Sequence, residues 1–268
     1  MAVGQVSKRH RIENTNIKKM TAKIRTRIRT FALLAALALV PLLGQAGDYS
    51  AVRAAIHALA PHLEVTSIEP APIPGMVEVI LEGQIIYISE DGRYLIEGVV
   101  FDIKNRRDLT EERRSGLRKE AMDKVNPDEM IVFAAEHPRH TVTVFTDIDC
   151  GYCRKLHGDM AQYNAKGISI QYLFFPRAGL GSHSYEKAVS VYCADDSQTA
   201  LTFAKLGEEP DPRQCDNPVS DHMKLGRIAG VNGTPAIVTE DGTLLAGYLP
   251  PDALAARLDL LDSLAENQ

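Results

Sequence analysis

The chain has 268 residues, of which 45% are hydrophobic and 24% charged, as is ordinary for a soluble globular protein. No internal repeat or compositionally simple tract is found, and the length suits one large domain or two modest ones. Residues 47–268 carry 21 Lys and Arg against 34 Asp and Glu, a net charge of −13. Such an acidic balance argues against nucleic acid as a partner, because that binding depends on Lys and Arg contacts with phosphate.

The N-terminus has the order of a secretory signal peptide. Residues 1–30 hold nine basic residues and one acid, the apolar run FALLAALALVPLLG follows at 31–44, and a small-residue triplet ends at Ala46. We therefore predict a signal peptide over residues 1–46. The alternative, a membrane anchor, is disfavoured because the apolar run is short for a bilayer and contains a proline and a glycine. Met20 is an alternative start that would leave a signal of ordinary length.

A helix and an antiparallel meander are predicted next. Residues 48–62 are amphipathic, and residues 76–103 are rich in Val, Ile, Tyr and Phe, with Asp91-Gly92 as a tight hairpin turn. A segment this short buries only a small core. We therefore expect an α+β N-terminal domain at residues 47–107 that is completed by dimerisation.

The segment DLTEERRSGLRKEAMDKV, residues 108–125, is predicted to be a highly charged helix. Asp108 can cap its start, with Glu111 three residues further on. A helix that is polar nearly all round commonly bridges two domains, so we assign residues 108–127 as a linker helix. The alternative is an ordinary surface helix of one domain.

Residues 128–268 show the alternation of an α/β domain. A strand pattern at 140–149 runs directly into the sequence CGYC, and later helices at 183–229 have the character of an insertion. The predicted order is strand, CxxC, helix ending at Gly167, strand, inserted helices, a hairpin around Asp241-Gly242 and a closing amphipathic helix. This order predicts a thioredoxin-like catalytic domain.

Cys150 and Cys153 have the spacing of a redox-active dithiol. The first cysteine begins a helix, where free N–H groups and the helix dipole favour a thiolate, and the second lies one turn further in. Cys150 is therefore predicted as the nucleophile and Cys153 as the resolving thiol, with Gly151 and Tyr152 between them. This chemistry requires neither a cofactor nor a metal.

Three other interpretations of CxxC are weaker. A zinc site needs a second close pair of ligands, a structural disulfide across two residues stabilises little, and haem attachment needs His directly after the second cysteine. Arg154 occupies that position. Lys155 and His157 can raise the positive potential near the thiolate, but a solvated helix face is the stronger interpretation for both.

The sequence Gly233-Thr234-Pro235 stands directly before a short apolar strand, about 80 residues after CGYC. Proline cannot donate a backbone hydrogen bond there, and the Thr234–Pro235 bond is a candidate for the cis form. Thr234 and Pro235 are accordingly predicted as neighbours of the dithiol.

Cys193 and Cys215 are predicted to form a structural disulfide. Closing the loop between them is worth about 3 kcal/mol in the chain-entropy model. An exported protein favours such a bond over two stray thiols. Two free thiols or a second redox pair are the alternatives.

Several segments together resemble the DsbC/DsbG family of periplasmic thiol:disulfide interchange proteins. The strongest is VFTDIDCGYCRKLH, residues 144–157, and both cysteines of the second pair occupy matching places. Asp149 departs from the family pattern, which has threonine before the first cysteine, and a carboxylate there is expected to raise the pKa of Cys150. The further matching segments are PAPIPGM, AQYNAKGI, FPRAGL, GVNGTPAIV and DGTLLAGYLPP.

The resemblance implies properties that the spacing of residues does not show. These are a periplasmic V-shaped homodimer joined through the N-terminal domains, and misfolded disulfide-containing exported proteins as substrates. They also include a DsbD-type inner-membrane reductase as partner and a cis peptide bond before Pro235. The implied activity is that of a disulfide isomerase or reductase with a chaperone-like cleft.

Two other function classes remain open. A DsbA-type oxidase leaves the N-terminal domain and the linker helix without a role. A DsbG-type holdase chaperone would act without Cys150, although that relative carries proline where this chain has Gly151.

Overall fold

The computed structural model describes residues 48–266, so the predicted signal peptide at residues 1–46 lies outside the described residues. Within this range, no helix combines the length and the apolar character needed to cross a membrane. The described chain begins with a small sheet domain, continues through one charged helix, and ends in a larger α/β domain.

The N-terminal domain consists of one helix packed on a four-stranded antiparallel sheet with the order β1-β2-β3-β4. The apolar face of the helix contributes Val52 and Ile56, which pack against alternate residues of the two central strands, such as Val77 and Val79. The intervening residues Ile80, Ile85 and Tyr87 form a second buried cluster on the opposite face, so both faces of the central strands are covered. The elements are α1 (Ser50–Leu59), β1 (Val65–Pro70), β2 (Met76–Leu81), β3 (Gln84–Ser89) and β4 (Leu95–Ile96).

A tight turn through Asp91 and Gly92 joins β3 to β4. Gly92 has φ +73°, and a Cβ atom built there would lie 2.7 Å from the carbonyl oxygen of Ala51. Glycine is therefore required both by the backbone conformation and by the close approach of α1. A short two-stranded ribbon follows, formed by β5 (Phe101–Asp102) and β6 (Arg107–Asp108).

The charged helix α2 (Leu109–Met122) contacts both domains. Asp108 caps its start by accepting the N–H of Glu111, at 2.8 Å. On one side Arg113 pairs with Glu78 of the N-terminal sheet at 2.9 Å. On the other side Arg118, which is buried, donates to the carbonyl oxygen of Gly242 at 2.6 Å. The last turn of α2 and the residues after it also supply apolar contacts to the larger domain, through Met122, Val125 and Met130.

The larger domain is built on a five-stranded mixed sheet with the order β11-β10-β8-β9-β7. Strands β8 and β9 at its centre are parallel, and the other pairings are antiparallel. These central strands are covered on both faces, so nearly all their residues are buried, including the polar His140, Thr143 and Thr146 of β8. The strands are β7 (Ile131–Phe133), β8 (His140–Thr146), β9 (Ile168–Phe174), β10 (Ala236–Val238) and β11 (Leu244–Ala246).

Six helices surround this sheet. The region after CGYC, expected to be a single helix, is two helices that meet at Asp159, whose side chain accepts the hydroxyl of Tyr248 at 2.6 Å. Three further helices form the insertion, and the last closes the domain. The helices are α3 (Gly151–Gly158), α4 (Met160–Ala165), α5 (His183–Tyr192), α6 (Ser197–Leu206), α7 (Val219–Ile228) and α8 (Pro251–Ala265).

Candidate active site

Cys150 stands at the junction between the central strand β8 and helix α3. It is the N-cap residue of α3, with extended backbone angles, and its carbonyl oxygen accepts the N–H of Arg154 at 3.0 Å. The sulfur therefore lies at the positive end of the helix, where a thiolate is stabilised by the helix dipole and by free N–H groups.

The loop before β10 faces this cysteine. The peptide bond between Thr234 and Pro235 is cis, and the thiol of Cys150 donates to the carbonyl oxygen of Thr234 at 3.2 Å. Pairing of Ala236 with Phe145 places the loop beside the end of β8. The sequence neighbours predicted for the dithiol are thus next to it in the fold.

The two sulfurs differ in their electrostatic surroundings more than in their exposure. Cys150 is 3% exposed and Cys153 is 1% exposed, so both are buried. Burial raises the pKa of Cys150, but the nearby polar groups of Thr234 and Cys153, together with the positive charge of Arg177, hold that pKa below its usual value. The pKa of Cys153 is raised, because burial outweighs the positive charge of Lys205 and the effect of the nearby polar groups.

Asp149, directly before Cys150, is held by two ion pairs. Its carboxylate is paired with Arg154 at 3.2 Å and with Lys187 at 3.1 Å. Two cations thus offset its negative charge, and the net shift in the pKa of Cys150 is downward. That net shift does not isolate the contribution of Asp149, so its raising effect on the pKa of Cys150 stays a prediction.

His157 does not lie on a solvated helix face, so that interpretation is wrong. It is buried, and its ring nitrogens lie 3.2 Å from the hydroxyl of Tyr172 and 3.0 Å from that of Thr202. Burial lowers the pKa of His157 to about 4, so the imidazole is neutral at physiological pH. Lys155 lies over the ring of Tyr248, 4.8 Å from its centroid.

Gly151 and Tyr152 occupy the two positions between the cysteines and are exposed. A Cβ atom at Gly151 would meet no heavy atom within 4 Å. The ring of Tyr152 stacks on Tyr248 with a centroid distance of 6.5 Å. Both residues therefore border the dithiol on the solvent side.

The sequence analysis missed three charged residues at the site, namely Asp147, Arg177 and Lys205. The buried carboxylate of Asp147 accepts the backbone N–H and the guanidinium of Arg177, at 3.1 and 2.9 Å, and the hydroxyl of Ser184. It thereby ties the turn before Cys150 to the loop after β9. The burial of Lys205 could have been predicted from the sequence, because it follows the apolar Leu201 by four residues and therefore lies on the same helix face.

Cys193 and Cys215 are bonded to each other, with a Cα–Cα distance of 5.7 Å, and are not brought to the dithiol. The bond joins the end of α5 to the segment before α7. It holds two of the inserted helices together without taking part in the CGYC site.

A reduced dithiol at the start of a helix, facing a cis-proline loop on a mixed sheet, defines a thioredoxin-like thiol–disulfide oxidoreductase. The family model for thioredoxin-like domains matches residues 127–261. A second model, for the N-terminal domain of disulfide bond isomerase proteins, matches residues 44–111.

Curated relatives extend this match across most of the chain. The chain is 40% identical over 198 residues to thiol:disulfide interchange protein DsbC of Escherichia coli (strain K12), covering 74% of this chain and 82% of that protein. It is 38% identical over 212 residues to DsbC of Dickeya dadantii, covering 79% and 87%. The chain belongs to the DsbC family of thiol:disulfide interchange proteins. The predicted family, fold class and enzyme class are confirmed.

A solved disulfide interchange protein from Neisseria gonorrhoeae is also similar. It is 29% identical, with a TM-score of 0.45, over 50% of this chain and 97% of that chain.

Proposed function

We propose that this protein rearranges incorrect disulfides in exported proteins, with Cys150 as the nucleophile and Cys153 as the resolving thiol. The observation that carries the proposal is the pair of free thiols at the start of α3, with Cys150 against the cis-proline loop. The roles of the two thiols are supported by the direction of their pKa shifts, down for Cys150 and up for Cys153. A low pKa keeps Cys150 as the attacking thiolate. A high pKa keeps Cys153 protonated until a mixed disulfide has formed.

The reaction proceeds by two exchanges. The Cys150 thiolate attacks one sulfur of a substrate disulfide, and the other substrate sulfur leaves as a thiolate. In isomerisation, a different substrate thiolate then attacks the substrate sulfur of the mixed disulfide, which forms a new substrate disulfide and releases the Cys150 thiolate. In reduction, Cys153 attacks Cys150 instead and releases the reduced substrate. Thr234 and Pro235 line the side of the dithiol where the substrate sulfur must approach, because the Thr234 carbonyl contacts the Cys150 thiol.

We assign dimerisation to residues 47–107, a linker to residues 108–127 and catalysis to residues 128–268. The support is an apolar surface around β4, an edge strand whose outer side has no partner strand within the described sheet. Such an edge invites pairing with another chain. The exposed residues of this surface are Tyr94, Leu95, Ile96, Val99, Phe101 and Ile103.

We place the protein in the periplasm, with a DsbD-type inner-membrane reductase keeping its dithiol reduced. The support is the signal-like N-terminal sequence and the coexistence of a structural disulfide with a reduced dithiol. Structural disulfides persist in oxidising compartments, whereas an isomerase dithiol has to be returned to its reduced form there.

Refolding of a scrambled multi-disulfide protein, such as ribonuclease, tests the isomerase proposal. The reduced wild-type protein should restore ribonuclease activity without added oxidant, and Cys150→Ala should not. Rescue that survives Cys150→Ala would instead support the holdase alternative. Efficient oxidation of a reduced substrate by the disulfide form, without rescue of the scrambled one, would support the oxidase alternative.

A further inference from the structure

A buried lysine from the helical insertion lies beside the resolving cysteine. Lys205 is 4% exposed, and its ammonium donates to the Thr146 hydroxyl at 2.7 Å and to the Asp147 carbonyl oxygen at 2.8 Å. Neither acceptor carries a formal charge. Burying a cation with neutral acceptors costs free energy, so such a group is a candidate for a functional role.

The Thr146 hydroxyl connects this lysine to the dithiol. Thr146 is fully buried at the end of β8, and its nearby hydroxyl lowers the pKa of Cys153. Because Lys205 donates to the Thr146 oxygen, the hydroxyl proton of Thr146 is free to point toward the Cys153 sulfur. The charge of Lys205 also lowers the pKa of Cys153 and is the largest effect opposing burial.

We propose that Lys205 is a positioning residue that acts through the Thr146 hydroxyl to stabilise the thiolate of Cys153, and thereby controls the rate of the resolving step. The inference rests on the proposed role of Cys153 as the resolving thiol. Lys205, which lies on a helix of the insertion, would then be part of the active site. Its charge would allow the buried thiol of Cys153 to become a thiolate and attack.

The resolving step starts from the mixed disulfide. In the mixed disulfide, Cys150 is bonded to the partner's sulfur. The proton of Cys153 passes through the Thr146 hydroxyl to the neutral amine of Lys205, which leaves a thiolate beside an ammonium. The thiolate attacks Cys150, the new disulfide forms, and the electron pair of the broken bond leaves with the partner's sulfur. Burial lowers the pKa of Lys205 to about 8, so its amine form is accessible near neutral pH.

Other charged groups near Cys153 are already engaged. The Asp147 carboxylate lies close in sequence, but it is ionised and held by Arg177 at 2.9 Å, with a pKa lowered by its hydrogen bonds against the effect of burial. The charge of Arg177 is thereby matched. Arg154, which acts on Lys205, is paired with Asp149 at 3.2 Å.

Two buried rings complete the surroundings of Cys153 and remain neutral. Burial raises the pKa of Tyr172 well above its usual value, so the phenol keeps its proton. Burial and the charge of Lys205 lower the pKa of His157 to about 4, so the imidazole does not become charged at neutral pH. Cys150 does not titrate while it is in the mixed disulfide. Among the described neighbours of Cys153, Lys205 is thus the one suited to accept its proton.

The test uses the reduced full-length protein and 5,5′-dithiobis(2-nitrobenzoate), whose thiolate product is coloured. Attack by Cys150 releases the first equivalent, and attack by Cys153 on the mixed disulfide releases the second. Lys205→Met should slow the second phase about tenfold or more at pH 7, the equivalent of one pKa unit, and shift its pH profile upward. The first phase should change much less, because Cys150 is stabilised by the start of α3 and by Thr234.

Three matched variants separate this role from a packing role. Lys205→Arg keeps the positive charge but cannot accept the proton of Cys153, so it should restore the pH profile of the second phase more than its rate. Thr146→Val keeps the shape but removes the hydroxyl, and should slow the second phase as Lys205→Met does, whereas Thr146→Ser should restore it. An unchanged second-phase pH profile in both Lys205→Met and Thr146→Val would overturn the proposal.

The reagent reports on the two thiols alone. Failure of the isomerase proposal would appear as a wild-type protein that does not rescue scrambled ribonuclease, while the two-phase reaction would still measure the effect of Lys205.

Discussion

The N-terminal and thioredoxin-like domains differ in how completely each buries its own apolar surface. Among the described residues, the largest cluster of the thioredoxin-like domain contains 19 buried apolar residues, whereas the two N-terminal clusters contain six and three. The N-terminal domain also leaves a continuous apolar surface exposed around β4. The thioredoxin-like domain thus has the larger core and carries the dithiol, whereas the N-terminal domain leaves exposed the apolar residues of its proposed interface.

Removing the first sulfur tests whether all the chemistry lies in the thioredoxin-like domain. Cys150→Ser should abolish thiol–disulfide exchange, because Cys150 supplies the attacking thiolate. Cys153→Ser should still attack and should accumulate a mixed disulfide. Insulin reduction and non-reducing gels measure the two effects. Exchange that persists in Cys150→Ser would place a second reactive thiol elsewhere.

A charged residue on the exposed edge strand β4 tests whether the N-terminal domain forms the dimer interface. Ile96 is 49% exposed on β4, so Ile96→Asp should fold, but it places a carboxylate in the proposed interface and should yield monomers. Rescue of scrambled substrate should fall sharply while insulin reduction survives, since two linked active sites hold a substrate longer than one. Sedimentation measures the mass.

Leu260 supplies the control for that variant. It is 46% exposed on α8 of the other domain, so Leu260→Asp should leave the mass unchanged. Dimers of Ile96→Asp with full rescue activity would show that the interface lies outside β4.

The second cysteine pair tests whether the Cys193–Cys215 bond stabilises the thioredoxin-like domain without taking part in exchange. Replacing both Cys193 and Cys215 with alanine should lower the free energy of unfolding by about 3 kcal/mol, as expected for a loop of this length. Exchange by Cys150 should remain. The wild-type bond should persist in mild reductant that fully reduces the dithiol, since structural bonds have the lower potentials. Urea unfolding and mass mapping provide the measurements, and simultaneous reduction of both pairs would contradict the assignment.

The smallest predicted effect is the difference in alkylation between the two thiols of CGYC at a given pH, which follows from their different pKa values. The pKa of Cys150 is lowered and that of Cys153 is raised, so iodoacetamide at mildly acidic pH should label Cys150 first. As the pH rises toward the higher pKa, labelling of Cys153 should increase. Peptide mapping across a pH series distinguishes the sites, and preferential labelling of Cys153 at acidic pH would reverse the assigned roles.

The sequence alone determined the identity of the dithiol and most of the main elements, although strand β7 and the break between α3 and α4 were not predicted from it. Alternating apolar residues marked the meander, and the apolar run before CGYC marked the central strand, because these patterns reflect which face of an element is buried. Asp108 was identified as a helix cap from its position before the charged segment. These features are local, since they depend on residues within one element or on the turn beside it.

Only the tertiary structure decided what surrounds the two sulfurs. His157 is neutral and buried, and Asp149 is matched by Arg154 and Lys187, because helices from the insertion pack against α3. Lys205 reaches Thr146 from 59 positions away in the chain. A pKa depends on burial and on charges that are near in space. Residue types and spacing therefore revealed the dithiol and predicted Cys150 as its nucleophile, while the packing of distant elements set the burial and the charges around each sulfur.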